Sequence, residues 1–200
     1  LSHERAFAGV EAHAPAAAIA AAAEAAGAAG ADGLVPLGGG SAIDTAKAAS
    51  AATGLPVCSI PTTYSGAEWT TGYGSRDAAT RTKGGGGGAR TVAILCEPRL
   101  TVGLPVAESA GTALNALNHC AEALYSARAT PASDTDALAG AALIAAWLPR
   151  VVAAPADLEA RRELLRGAMH AGAAMHAGYA LAHAMAQALG GFTGGSHGGF

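Results

Sequence analysis

Aromatic residues make up only 4% of the chain and charged residues 14%, and no sign of charge dominates, the net charge being −3. There is no basic stripe to attract nucleic acid or an anionic membrane surface, so neither is expected as a partner. Cysteine is also scarce: Cys58, Cys96 and Cys120 are odd in number and lack metal-type spacing. They suit ordinary reduced residues of a cytoplasmic protein. Long apolar runs are missing as well. The alanine-rich stretch 16–31 is broken by Glu24 and two glycines, and no signal peptide precedes it, so no membrane span is expected. No repeat of 20–50 residues is visible. The chain starts at Leu1 and ends at Phe200 directly after His-Gly-Gly, and it is expected to be a fragment.

What is present is apolar material, 51% of the chain, mostly alanine, with 28 glycines. The stretch Leu34-Val35-Pro36-Leu37-Gly38-Gly39-Gly40-Ser41 joins a short apolar run to three glycines and then to a helical pattern, with Ser41 as candidate N-cap. A strand, a bare-backbone turn and a helix start make a seat for phosphate, because free N–H groups and the helix dipole attract an anion. It is neither the P-loop nor the G-x-G-x-x-G fingerprint, and a tight turn without ligand has much the same pattern. The helix runs to about Ala52 with Ile43, Ala46 and Lys47 at helical spacing, and Val57–Ile60 is the next strand. Strand, helix, strand predicts a βαβ unit in a parallel sheet. Thr62-Thr63-Tyr64-Ser65-Gly66 then forms a hydroxyl-rich loop at the carboxyl end of that strand, where ligands of open α/β sheets collect.

Residues 84–88, five glycines in succession, suggest a flexible connection, since fixing their backbone is costly in entropy. A short strand, 91–95, follows, and 98–105 is a linker. Beyond it every periodic segment is helical: 107–126, about 134–148, 158–178 and 179–189, with 149–155 as a break and 190–199 too rich in glycine for helix. The shift predicts an α/β domain over 1–103 and an all-helical domain over 104–200, both incomplete. Asn115 and His119, four apart, share a helix face. His183 lies on the last helix and His197 fourteen residues later. Imidazoles and an amide from different elements can converge on a metal or an anionic substrate, although each can also be a buried, satisfied histidine.

Together these segments resemble the iron-containing alcohol dehydrogenase superfamily: Gly38-Gly39-Gly40-Ser41-Ala42-Ile43-Asp44, Pro61-Thr62-Thr63-Tyr64-Ser65-Gly66-Ala67-Glu68, Asn115-Ala116-Leu117-Asn118-His119, and His183 with His197. The resemblance implies a nucleotide-binding α/β domain, a helical domain and an active-site cleft between them. Metal-dependent members carry Asp where this chain has Asn115, and a further His where Gln187 stands, so the chain is more similar to the maleylacetate reductase branch. An amide in place of a carboxylate leaves a divalent cation three neutral imidazoles, which weakens iron binding, although imidazole-only zinc sites exist.

The resemblance implies NAD or NADP as cofactor, with Gly38, Gly39, Gly40 and Ser41 at the pyrophosphate, Asp44 nearby, and Thr62, Thr63 and Ser65 as hydroxyl donors. It places Arg90 near the ribose and Leu100-Thr101 at the adenine. His119, His183, His197 and Asn115 become the catalytic set, facing a small keto acid, and in a metal-dependent relative the three histidines would hold Fe²⁺ or Zn²⁺. A homodimer is the expected assembly. Maleylacetate would give 3-oxoadipate, a step of aromatic degradation. Two alternatives stay open: a metal-dependent dehydrogenase of alcohols or aldehydes, and a non-catalytic nucleotide-binding remnant.

Overall fold

The structure is a computed structural model that describes residues 6–195. In chain order it comprises α1 (Ala16–Ala28), β1 (Leu37–Gly38), α2 (Gly40–Thr53), β2 (Pro56–Pro61), β3 (Tyr73–Asp77), β4 (Thr82–Gly86) and β5 (Arg90–Ile94). Four helices follow: α3 (Val106–Tyr125), α4 (Pro131–Ala153), α5 (Leu158–Ala174) and α6 (Leu181–Thr193). The N-terminal region is thus α/β with a parallel sheet and the C-terminal region helical.

The sheet has the order β1-β2-β5 with both pairings parallel. Its central strand alternates: Val57, Ser59 and Pro61 point into the interior while the residues between them are half-buried. That period of two is what a strand covered mainly on one face requires. The covering element is α2, whose Ile43, Ala48 and Ala49 are buried. β1, α2 and β2 therefore form the expected βαβ unit, although β1 is short; only Leu34, as an isolated bridge to Val57, extends its pairing upstream.

Four sequence-based expectations are corrected. Ser41 is not the N-cap: Gly39 holds that position with extended backbone and no side-chain cap, and Ser41 sits in the first turn, its hydroxyl accepting the His13 N–H at 3.0 Å. The glycines 84–86 are not a loose connection but most of β4, paired antiparallel with β3, Tyr73 opposite Gly86 and Asp77 opposite Thr82. Close packing explains them, since a Cβ on Gly85 would run into the Tyr73 carbonyl and one on Gly86 into the Tyr73 ring. α4 continues through Pro149 to Ala153, because a proline one turn from the end forfeits only one late hydrogen bond. α6 likewise extends over Gly190 and Gly191 to Thr193, where left-handed Gly194 ends it.

α3, α4 and α5 pack around a core made largely of alanine, with Cys120, Ile144, Val151, Leu164 and Leu165 from the helices and Tyr64 from the loop after β2 filling the remainder. Small side chains let these helices come close: a Cβ on Gly140 of α4 would lie 2.9 Å from Cys120 Sγ of α3 and 3.0 Å from Ala171 N of α5. α4 is long and apolar enough to cross a membrane by length and composition, yet it packs along both α3 and α5. Its start is fixed by a reciprocal cap, Thr130 Oγ1 accepting the Ser133 N–H at 3.1 Å and Ser133 Oγ accepting the Thr130 N–H at 2.8 Å.

Candidate active site

The carboxyl ends of β1 and β2 meet the helical region around a cavity of about 840 Å³. On the sheet side, the Thr62 N–H donates to the Gly38 carbonyl at 3.0 Å, tying the glycine turn to the loop after β2. Thr63 and Ser65 face the cavity and share a hydrogen bond of 3.3 Å between their hydroxyls. The fit is tight. A Cβ on Gly39 would stand 2.9 Å from Thr63 Cγ2, so only glycine lets the turn and the loop lie together. Gly40 and Ser41 open α2 toward the cavity, and Asp44 and Lys47 follow on the same face.

Lys47 is 1% exposed and donates to the Ala67 carbonyl at 2.6 Å, to Thr70 Oγ1 at 3.2 Å and to Asp44 at 3.5 Å. Burial pushes its ammonium below the usual lysine range and pushes the Asp44 carboxyl up, each partly countered by the other. This pair ties α2 to the loop before β3. Buried Glu68 lies nearby and is raised to about 7, chiefly by desolvation.

The opposite wall is helical. Asn115 Nδ2 donates to the Ser65 carbonyl at 3.2 Å and lies 3.1 Å from His119 Nε2. A carbonyl can only accept, so the amide nitrogen faces both partners, His119 Nε2 accepts, and a neutral His119 carries its proton on Nδ1. His119 and His183 rings are 4.8 Å apart, and Tyr179 stacks on His183 at 4.3 Å with planes 20° apart. Burial holds the His183 imidazolium below the usual histidine range, against a pull upward from Glu122. Glu122 of α3 is itself buried and accepts the N–H groups of Ala180 (3.1 Å) and His183 (2.8 Å). It thereby caps α6, whose own N-cap residue supplies no side-chain bond.

Of the candidates read from sequence, the structure brings Gly40, Ser41, Asp44, Thr63, Ser65, Asn115, His119 and His183 to one cavity. Gly38, Gly39 and Thr62 stand behind it as supports. Arg90 is a correction: it lies opposite Pro56 at the amino end of the sheet, about 16 Å of strand from the glycine turn. There its guanidinium donates to the Gly54 carbonyl at 3.2 Å. Thr101 is a second correction, being 0% exposed and bonded to Tyr64 Oη and the Pro98 carbonyl, so it faces the interior. His197 lies outside the described residues. Sequence reading missed Lys83, His13 and Tyr179, which all line the cavity, as does Gln187. Lys83 alternates with Thr82 along β4, and that period of two was the one signal available. His13 carried no local signal, because its imidazole meets the Gly194 carbonyl 181 residues away, at 3.0 Å.

Residues 2–98 match the family described as iron-containing alcohol dehydrogenase, and residues 109–200 match that family's C-terminal part. The chain belongs to the iron-containing alcohol dehydrogenase family. It is 38% identical over 186 residues to maleylacetate reductase 1 of Cupriavidus pinatubonensis, covering 92% of this chain and 52% of that protein. Among solved structures, maleylacetate reductase from Agrobacterium tumefaciens superposes with a TM-score of 0.88 at 36% identity, over 94% of this chain and 54% of that one. Sulfoacetaldehyde reductase from Bifidobacterium kashiwanohense, solved with NAD⁺, gives 0.82 at 27% identity, over 92% and 55%. The chain spans about half the length of the curated relatives it matches.

The family's name carries a metal, and His197, one of the three histidines that the resemblance assigns to it, lies outside the described residues. Among the described residues no three His, Cys, Asp or Glu side chains stand together. Asn115 turns an N–H toward His119 Nε2, the lone pair a cation would need. A nicotinamide dinucleotide fits. α2 starts without a side-chain cap, a Cβ added at Gly40 would still clear Ser65 Oγ by 3.7 Å, and the cavity lies within the about 300–1,000 Å³ usual for small ligands.

Proposed function

We propose that this chain carries the central part of the active site of an NAD(P)H-dependent reductase of the maleylacetate reductase type, with a dinucleotide-binding domain up to residue 103 and a helical catalytic domain from 104. The observation that carries this reading is the Asn115 amide, which joins the loop after β2 to His119 across the cavity where a metal-dependent enzyme would need a carboxylate. In this reading the open N–H groups of α2 and the hydroxyls of Thr63 and Ser65 receive the pyrophosphate, while Lys83 offers a cation from the hairpin side. When bound, the nicotinamide supplies a hydride to the conjugated double bond of an unsaturated keto acid.

The chain's own groups do the rest. His119 and His183 stabilise the negative charge that develops on the enolate oxygen and the substrate carboxylate, and an imidazole N–H delivers the balancing proton. Stacking by Tyr179 and the Glu122 anchor keep His183 in place. Maleylacetate, NAD(P)H and one proton then give 3-oxoadipate and NAD(P)⁺, a cytoplasmic step of aromatic degradation. Steady-state assays of the full-length protein against maleylacetate and against simple aldehydes and alcohols test the reading. Turnover of maleylacetate far above that of the others is expected, and preference for an aldehyde would transfer the site to the alcohol dehydrogenase reading.

A further inference from the structure

Arg161, in the first turns of α5, is fully buried. No carboxylate meets it among the described residues. Its guanidinium is satisfied by neutral oxygens only: Tyr64 Oη at 3.0 Å, Ser109 Oγ at 2.9 Å, the Leu104 carbonyl at 3.3 Å and, through Nε, the Pro155 carbonyl at 2.9 Å. Burying a cation is costly unless every donor finds a partner, so this fork holds its acceptors in fixed places. Those acceptors come from the loop after β2, the segment leading into α3, α3 itself and the turn before α5. One side chain therefore locks the α/β region to the helical region.

The lock reaches the cavity through Tyr64. Its ring is fully buried, and its hydroxyl accepts from Arg161 and donates to Thr101 Oγ1 at 3.3 Å, which in turn donates to the Pro98 carbonyl at 2.8 Å. The Tyr64 N–H is bound as well, by Thr112 Oγ1 of α3 at 3.3 Å. Residues 62–65 form a run of bends that follows β2. With Tyr64 pinned inward, its neighbours Thr63 and Ser65 are turned outward, and both line the cavity. We propose that Arg161 is a positioning residue for the nicotinamide cofactor, acting through Tyr64 to set the two hydroxyls, Thr63 and Ser65, that receive it. This rests on the reading above that the cavity takes NAD(P)H.

Tyr64→Phe and Arg161→Lys, made singly and together in the full-length protein, test the inference. Tyr64→Phe keeps the buried ring and removes only the hydroxyl, so it remains informative if Arg161→Lys does not fold. Lysine keeps the charge but not the fork geometry. The dissociation constant for NADH or NADPH, read by fluorescence titration, is expected to rise about tenfold in each folded single variant. The KM for the keto acid should change much less, and the double variant should be little worse than either single one, because both interrupt the same network. Folded variants that melt at lower temperature yet bind the cofactor like wild type would reduce Arg161 to core architecture and overturn the inference. Wild-type protein that binds no nicotinamide cofactor would instead sink the reading of the cavity itself.

Discussion

Replacing Gly39 by valine tests the glycine turn at its tightest point. The backbone there, at φ −84° and ψ −166°, is open to any residue, so the perturbation is steric and not conformational. A Cβ would lie 2.9 Å from Thr63 Cγ2, whereas carbon atoms settle about 3.5–4.0 Å apart. Thr63 must therefore recede by about 0.6–1.1 Å, and more once the valine branches are added. Overpacking of this kind costs about 1–3 kcal/mol, within the 5–15 kcal/mol that a typical domain has in reserve, so the fold survives. The displaced hydroxyl is one that Ser65 holds at 3.3 Å, and a hydrogen bond lost to a charged phosphate oxygen, about 1.5–3 kcal/mol, is worth about ten- to a hundredfold in affinity. NAD(P)H titration by fluorescence on full-length Gly39→Val is expected to show affinity reduced by about that factor, with Gly39→Ala between it and wild type. Unchanged affinity in a variant that melts as a folded protein would mean that the turn merely connects β1 to α2.

Further outcomes follow from the two walls of the cavity. Glu122→Ala leaves the Ala180 and His183 N–H groups without their buried carboxylate; a loss of about 2–4 kcal/mol is expected by denaturant unfolding, with faster hydrogen exchange in α6. Exchange in α6 as slow as in wild type would refute the anchor. Asn115→Asp should bring measurable Zn²⁺ affinity by titration calorimetry, since a charged oxygen then joins the imidazoles of His119 and His183; no gain in affinity would count against these three side chains converging on one point of the cavity wall. Glu68, held up to about 7 by burial against a usual 4.5, binds its proton more tightly in the folded protein than in the unfolded chain. Its contribution to stability is complete below about pH 4.5 and is lost as the pH rises through 7, by about 3 kcal/mol in all. A stability profile that Glu68→Gln does not flatten over that range would contradict this.

How far the sequence could be read depended on whether the relevant contacts were local. The βαβ unit was legible because glycines and prolines bracket α2 and because Val57–Ile60 is a compact apolar run. The face shared by Asn115 and His119 followed from helical spacing alone. β4 was not legible: a glycine run looks the same as a loose linker or as a strand packed against Tyr73, and only the partner strand decides. Arg90 and Thr101 were misplaced by resemblance, because nothing local revealed that one begins β5 at the far end of the sheet and the other turns into the core. Arg161 gave no sign at all, since an arginine in a charged stretch of helix is ordinarily solvated, and its acceptors on the other elements lie 52–97 residues away in the chain.

Under the proposed function, this cavity directs hydride to a carbon–carbon double bond with its own imidazoles as the stabilising groups. Full-length protein, treated with chelator, can be given maleylacetate with NAD(P)H deuterated at either face of nicotinamide C4, and the product examined by mass spectrometry and NMR. The expected product is 3-oxoadipate that carries deuterium, from one face only, on a carbon of the former double bond. A hydroxy acid with deuterium on its carbinol carbon, or turnover that stops on chelation and returns only with Fe²⁺ or Zn²⁺, would contradict it.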